Sequence, residues 1–258
     1  MKTNQETNPI KSLVGIFFAA LRLLLPERCV LCGRRLEARE HCVCTVCYAL
    51  LPFTHLRARR GNPMERIFWW RVPVRRASAL LRYQPGAASC KIFFKLKYGN
   101  RPQAGIYFGR IMATDLLDTG FFDDIDGIVP VPLSQKRERE RGYNQSLMLA
   151  RGVAEITGLP VWPDAAERIV DNPQQARLRP AQRQENVKGI FRLRNKAQLE
   201  QRHVLIVDDV LTTGATVLSL AREICTAQGS SVSILTLGLA GQHGTGPAHA
   251  LSLSGAST

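Results

Sequence analysis

The chain has 258 residues, 45% of them hydrophobic and 22% charged, with no long biased run. That excludes a chain too polar to bury a core, and it leaves room for one large domain or a medium domain beside a small one. A net charge of +14 and a pI near 10.0 point to anionic partners: nucleic acid, anionic lipid or phosphorylated metabolites.

The first predicted element is the apolar stretch from Leu13 to Leu25. Arg22 interrupts it, and it falls short of the roughly 20 residues a membrane helix needs. No transmembrane segment is expected. The stretch reads as a helix docked on the protein, with a secretory signal or a peripheral membrane contact as alternatives.

Five of the seven cysteines then fall between Cys29 and Cys47. Cys29-x-x-Cys32 and Cys44-x-x-Cys47 are two knuckles with eleven residues between them. Each knuckle can turn two thiolates toward one tetrahedral ion, so structural zinc is the expected occupant and redox chemistry the alternative. His41 and Cys42 are spare, and either could replace a nominal ligand. Zinc in so small a unit supplies on the order of 10–16 kcal/mol of apparent folding energy. Cys90 and Cys225 lie apart in apolar contexts and read as ordinary buried thiols. An odd count with this clustering argues against a disulfide framework and for a reducing, cytoplasmic setting.

Residues 1–55 are therefore expected to form an apolar helix plus a zinc-binding unit, and 56–76 a basic junction. Arg57, Arg59, Arg60, Arg71, Arg75 and Arg76, with Lys95 and Lys97 further on, form a candidate nucleic-acid surface. Basic residues track phosphates, and Trp69, Trp70, Phe93 and Phe94 are candidates to stack bases. Core packing is the competing account of these aromatics.

From Ala77 strands alternate with helices. "ASALLRY" reads as a strand and Gln84-Pro85-Gly86 as a turn. Helices are expected at 87–97, 103–117 and 144–157, and "IDGIVPVPL" reads as a short strand between the last two. Arg192–Arg194 suggests another short strand. "HVLIVDD" is a strand, 214–227 a helix, and "SVSILTLGLA" the last strand. This alternation predicts an α/β fold: a parallel sheet flanked by helices, over residues 77–240. The Gly-, Ser- and Ala-rich tail 241–258 is expected to be disordered.

The chemistry concentrates in "VLIVDDVLTTGAT". Val204 to Val207 is the apolar run of a strand buried on both faces, and such strands present ligands at their carboxyl ends. Asp208 and Asp209 stand there, and Thr212, Thr213, Gly214, Ala215 and Thr216 lead into a helix. The N–H groups of a helix N-terminus attract phosphate, and small residues let it approach the backbone. The carboxylates can accept hydrogen bonds from vicinal sugar hydroxyls or help position Mg²⁺. The order reads as sugar first and phosphate second: a 5-phosphoribosyl group lying across a strand end. A simply capped strand–turn–helix is the competing account. A P-loop is excluded, because "GxxxxGK[ST]" occurs nowhere.

Two more stretches fit that reading. "SQKRERERGYNQS" alternates Arg137, Arg139 and Arg141 with Glu138 and Glu140 before Gly142. Alternating charge is often just a solvated loop, but at a strand end of the same sheet the arginine forks suit a diphosphate. "NPQQARLRPAQRQENVKGIF" is too long for a simple connection and reads either as a lid closing over a phosphate ester or as plain disorder.

The threonine loop resembles the phosphoribosyl-diphosphate (PRPP) motif of type I phosphoribosyltransferases. The whole pattern resembles the ComF family. The matching residues are "VPVPL", Arg139, Arg141, Gly142, Tyr143, Asn144 and Gln145, then Gln175, Leu178, Arg183, Asn186 and Phe191, and finally "VDDVLTTGAT". Lys97 and Tyr98 in "FKLKYGN" match the family's lysine segment. The resemblance implies a type I phosphoribosyltransferase fold with an N-terminal four-cysteine zinc module. It implies PRPP and Mg²⁺ as ligands, with Asp208 and Asp209 on the ribose, Thr212–Thr216 on the 5-phosphate, and Arg139, Arg141 and Gly142 on the pyrophosphate, closed over by Arg183. It also implies a role in natural competence: handling incoming single-stranded DNA beside the uptake machinery, on the cytoplasmic side of the inner membrane. Whether turnover occurs stays open. A phosphoribosyltransferase with an unidentified acceptor and a non-catalytic PRPP sensor are the alternatives. Glutamine amidotransferase activity is not expected, since no cysteine stands near the N-terminus.

Overall fold

The structure is a computed structural model that describes residues 27–84, 86–87, 90–170 and 189–241. The expected Leu13–Leu25 helix, the candidate lid with Arg183, Pro85 of the expected turn and the tail from 242 lie outside the described residues.

Four strands form one parallel sheet: β1 (Val74–Tyr83), β2 (Gly127–Pro130), β5 (His203–Leu211) and β6 (Ser231–Ala240), in the order β1-β6-β5-β2. The central pair carries the longest apolar runs because both of its faces are covered. On one face Leu205, Val207, Leu235 and Leu237 join one buried cluster. On the other, Val204, Ile206, Val232 and Ile234 join a second. The alternation has period two, as a pleated strand requires.

The first face is packed by α3 (Cys90–Tyr98), α4 (Pro102–Thr114) and α6 (Gln145–Thr157). The second is packed by α2 (Pro63–Phe68) and α7 (Ala215–Ile224). A short antiparallel pair, β3 (Ala166–Arg168) and β4 (Phe191–Leu193), adds Ala166 and Phe191 to the second core. The sequence pattern suggested β4 but not β3, whose three residues carry no periodicity of their own.

Both sheet edges are covered. Phe53 bridges Leu81, while Thr54 donates to the Leu80 carbonyl and Arg82 to the Pro52 carbonyl along the outer edge of β1. Trp162 donates to the Ile128 carbonyl, and Ile128 donates to that of Pro160, along the outer edge of β2. Paired edges of this kind are protected from pairing with another chain.

The region before β1 includes the short helix α1 (Thr45–Ala49). Its buried Cys29, Val30, Val43, Cys44 and Leu51 belong to the same cluster as Leu80, Phe93 and Phe108. Cys90 and Cys225 are half-buried rather than buried. The Cys90 thiol is close enough to the surface to donate to the Gln84 carbonyl at 2.7 Å.

The charged stretch read as a loop is a short helix, α5 (Gln135–Arg141). Ser134 caps its start by accepting from the Arg137 N–H at 3.4 Å, and Gly142, at φ 78°, ends it in the left-handed region. Periodicity could not reveal this helix, because its side chains are polar all round and none is buried.

Candidate functional site

The carboxyl ends of β5 and β2 face the N-termini of α6 and α7. Asn144 caps α6, accepting from the N–H groups of Ser146 and Leu147 at 2.9 and 3.4 Å. Its own amide donates to the Val131 carbonyl at 3.1 Å, just beyond β2. This one side chain pins the helix start to the strand end. As a result Ser146 reaches β5, where its hydroxyl donates to Asp208 at 2.9 Å.

Asp208 and Asp209 are both buried. Asp208 also accepts from the Asp209 N–H at 2.8 Å, and Asp209 accepts from the Val210 N–H at 2.7 Å. The other Asp209 oxygen pairs with the Lys97 ammonium at 2.9 Å. Burial, reinforced by the neighbouring Asp209 carboxylate, pushes Asp208 up to about 7. The bonds from Asp209 N–H and Ser146, and the Lys97 charge, oppose that shift only in part.

Lys97, grouped by sequence with the nucleic-acid residues, thus faces the carboxylates. It arrives there because Ile92, Phe93 and Leu96 bury one side of α3 against the sheet. The helix is also tied down by the Tyr143 hydroxyl, which donates to the Leu96 carbonyl. Arg141 lies over the Tyr98 ring at 5.6 Å and donates to Gln145 at 3.0 Å. Lys97, Ser146 and the two aspartates come from three separate segments and form one cluster, and Arg141 is held beside it through the neighbouring Tyr98 and Gln145. Arg139 is exposed on the same short helix. Ser146 was not singled out from the sequence; its place directly after the Asn144–Gln145 match was the available signal.

The turn after β5 runs through Thr212 and Thr213, both exposed, to Gly214 at φ 77°. Gly214 occupies the N-cap of α7 and has no side chain to cap it, while the Thr213 hydroxyl just before it accepts from the Ala215 N–H at 3.4 Å. A Cβ on Gly214 would stand 3.1 Å from Ile67 and 3.6 Å from Phe68, so α2 closes in behind the turn. Ala215 and Thr216 begin α7, whose first N–H groups have no partner within the helix. The surface that results, with hydroxyls and amide donors beside two carboxylates, can hold a sugar phosphate.

Four sulfurs converge at the other candidate centre. Those of Cys29, Cys32, Cys44 and Cys47 all lie within 4.8 Å of one another, and Cys32 and Cys44 are 3.8 Å apart. A tetrahedral ion with bonds of ~2.3 Å to sulfur needs sulfurs about 3.8 Å apart, so the cluster fits zinc. Burial raises the Cys29 thiol, but backbone N–H groups of Cys32, Cys44 and Leu31 outweigh it and bring it down to about 6. The spare residues stand outside this cluster. Burial drives the Cys42 thiol up to about 12, which keeps it protonated, and His41 is exposed.

The basic candidates divide. Arg57 pairs with Asp118, and Arg76 donates to the carbonyls of Ala58, Thr119 and Gly120. Arg76 is half-buried and held by those bonds, whereas Arg57 stays exposed beside its partner. Arg59, Arg60, Arg71, Arg75 and Lys95 are exposed. Of the aromatics, Phe93 is core, whereas Trp69, Phe94 and the wholly exposed Trp70 are not.

Fold and site together define a phosphoribosyltransferase-fold protein. Residues 103–253, more than half of the chain, match the family model described as phosphoribosyl transferase domain. The chain is 27% identical over 230 residues to DNA utilization protein YhgH of Escherichia coli K12, covering 83% of this chain and 98% of that one. It is 33% identical over 98 residues to Competence protein F of Haemophilus influenzae, covering 38% of this chain and 43% of that one. It is 32% identical over 111 residues to Competence protein ComFC of Bacillus subtilis, covering 43% of each. The chain belongs to the phosphoribosyl transferase domain family, in its ComF branch.

Proposed function

We propose that this chain binds PRPP with Mg²⁺ at the end of β5 and serves the handling of incoming single-stranded DNA. The observation that carries the first part is the junction of Ser146–Asp208 and Lys97–Asp209 beside the Thr212–Thr216 turn. Asp208 and Asp209 would accept from the ribose hydroxyls. Thr212, Thr213 and the N–H groups from Gly214 to Thr216 would take the 5-phosphate. Arg139 and Arg141, with the Gly142 backbone, would take the pyrophosphate, Lys97 adding positive charge; Arg183 would close over it. Mg²⁺, when bound, neutralises pyrophosphate charge. The zinc-fitting cysteines would have a structural role, since four thiolates would fill all four positions of a tetrahedral ion.

The second part is supported by the names of the competence and DNA-utilization relatives. It is also supported by exposed Arg59, Arg60, Arg71 and Arg75 beside Trp69 and Trp70, residues of the kind that track phosphates and stack bases. A site on the cytoplasmic side of the inner membrane, near the uptake machinery, follows from that role. No helix among the described residues is long and apolar enough to cross a membrane.

The same pocket could also run a transfer, with pyrophosphate leaving C1 as an acceptor attacks. Calorimetric titration with PRPP and Mg²⁺, beside one with oligo-dT, tests the reading. Both ligands are expected to bind, PRPP binding being lost in Asp208→Asn/Asp209→Asn and oligo-dT binding weakening as salt rises. Absence of PRPP binding in the unmodified protein would refute the pocket. Pyrophosphate release would mark an enzyme, and its absence a sensor or DNA-handling role.

A further inference from the structure

We propose that the outer face of α3 is a base-stacking platform that seats a nucleic-acid strand across the mouth of the Asp208/Asp209 pocket. This rests on the DNA-handling part of the function proposed above and assigns it a place and a chemistry. The inner side of α3 is already satisfied: Ile92, Phe93 and Leu96 fill the core. Two large rings nevertheless remain outside. Phe94 is 60% exposed and Tyr98 63%, one helical turn apart, with ring centres 5.1 Å from each other. The two rings are tilted 44° to each other, so each offers a flat face to a partner with flat faces of its own.

The surroundings select that partner. Lys91 and Lys95 of the same helix are exposed and make no ion pair among the described residues. The other exposed side chains of α3 are lysines, with no aliphatic residue to enter a bilayer. Flat rings amid unpaired cations suit a single strand, whose bases stack while its phosphates meet the charges. The platform adjoins the pocket through two residues. Lys97 of the same helix pairs with Asp209, and Arg141 covers one face of Tyr98. A diphosphate that drew Arg141 away would bare that ring, so PRPP and strand occupancy are coupled through this guanidinium, and reciprocally.

The test uses the full chain, oligo-dT, an abasic oligomer of equal length, thymidine monophosphate and anionic vesicles. Phe94→Ala and Tyr98→Ala are each expected to weaken oligo-dT binding roughly tenfold while leaving the abasic oligomer unaffected. Bromodeoxyuridine photo-crosslinks should map to residues 94–98. Phe94→Ala should leave the PRPP titration unchanged, which also verifies its fold. Crosslinks confined to Trp69 and Trp70, equal losses for the abasic strand, thymidine monophosphate binding as tightly as the oligomer, or a loss of vesicle binding alone would each overturn the platform. If the unmodified protein bound no oligo-dT, the DNA-handling reading would fall with it, whatever the PRPP titration gave.

Discussion

At the scale of single residues, the site is governed by how two adjacent carboxylates are neutralised. Asp209 has Lys97 in direct contact; Asp208 accepts hydrogen bonds from neutral donors, feels Lys97 only at a distance, and is pushed up to about 7 from an ordinary value of 3.8. The folded state therefore holds the Asp208 proton more tightly than the unfolded chain does. The stability this contributes is complete below about pH 4 and is lost as pH rises through about 7. Asp208→Asn keeps the shape without the charge, so the ligand-free variant should melt higher than the parent. The gap should be larger at pH 8 than at pH 5, and thermal scans at the two pH values check it. A gap that shrinks on going to pH 8 would contradict the assigned burial. Lys97→Met leaves Asp209 without its cation and should cost about 1–3 kcal/mol. Adding Asp209→Asn should restore part of that loss, a coupling that a double-mutant cycle in denaturant measures.

At the scale of elements, close contact between helices decides where the site's parts can stand. Gly109 of α4 and Gly152 of α6 let the two backbones touch: a Cβ on either would lie 2.1 Å from a carbonyl oxygen of the other helix. Gly152→Ala must push α6 off α4, at a cost of about 3 kcal/mol. Because Ser146 rides on α6, PRPP affinity should fall as well, a joint loss that chemical denaturation and titration would detect. Asn144→Ala removes the cap and the tie to Val131, and should cost about 1–2 kcal/mol. Helix and strand positions were legible where apolar residues repeat: β6 was anticipated at both ends and α6 to within one residue. α5 was not, since it buries nothing, and β3 is too short to repeat.

At the scale of the whole molecule, the cysteine region and the sheet share one hydrophobic cluster. Removing a bound metal should therefore lower the melting temperature of the whole chain instead of producing an early, separate transition. Differential scanning calorimetry with and without a chelator decides between the two outcomes. Two independent transitions would mean that the interface around Leu51, Leu80 and Phe108 is weaker than its burial implies.

Local chemistry was readable in the sequence alone. The paired cysteines, the aspartates at a strand end, the threonine turn and the basic surplus each depend on neighbours a few residues away, and short-range geometry is set by residue type and spacing. What only the tertiary structure decided was who meets whom across the chain. Lys97 pairs with Asp209, Arg57 with Asp118, Arg76 donates to the Ala58 carbonyl, and Phe94 stands outside while Phe93 fills the core. Such pairings arise when the sheet closes and helices pack to exclude water, and no local pattern encodes the partner that packing brings within reach.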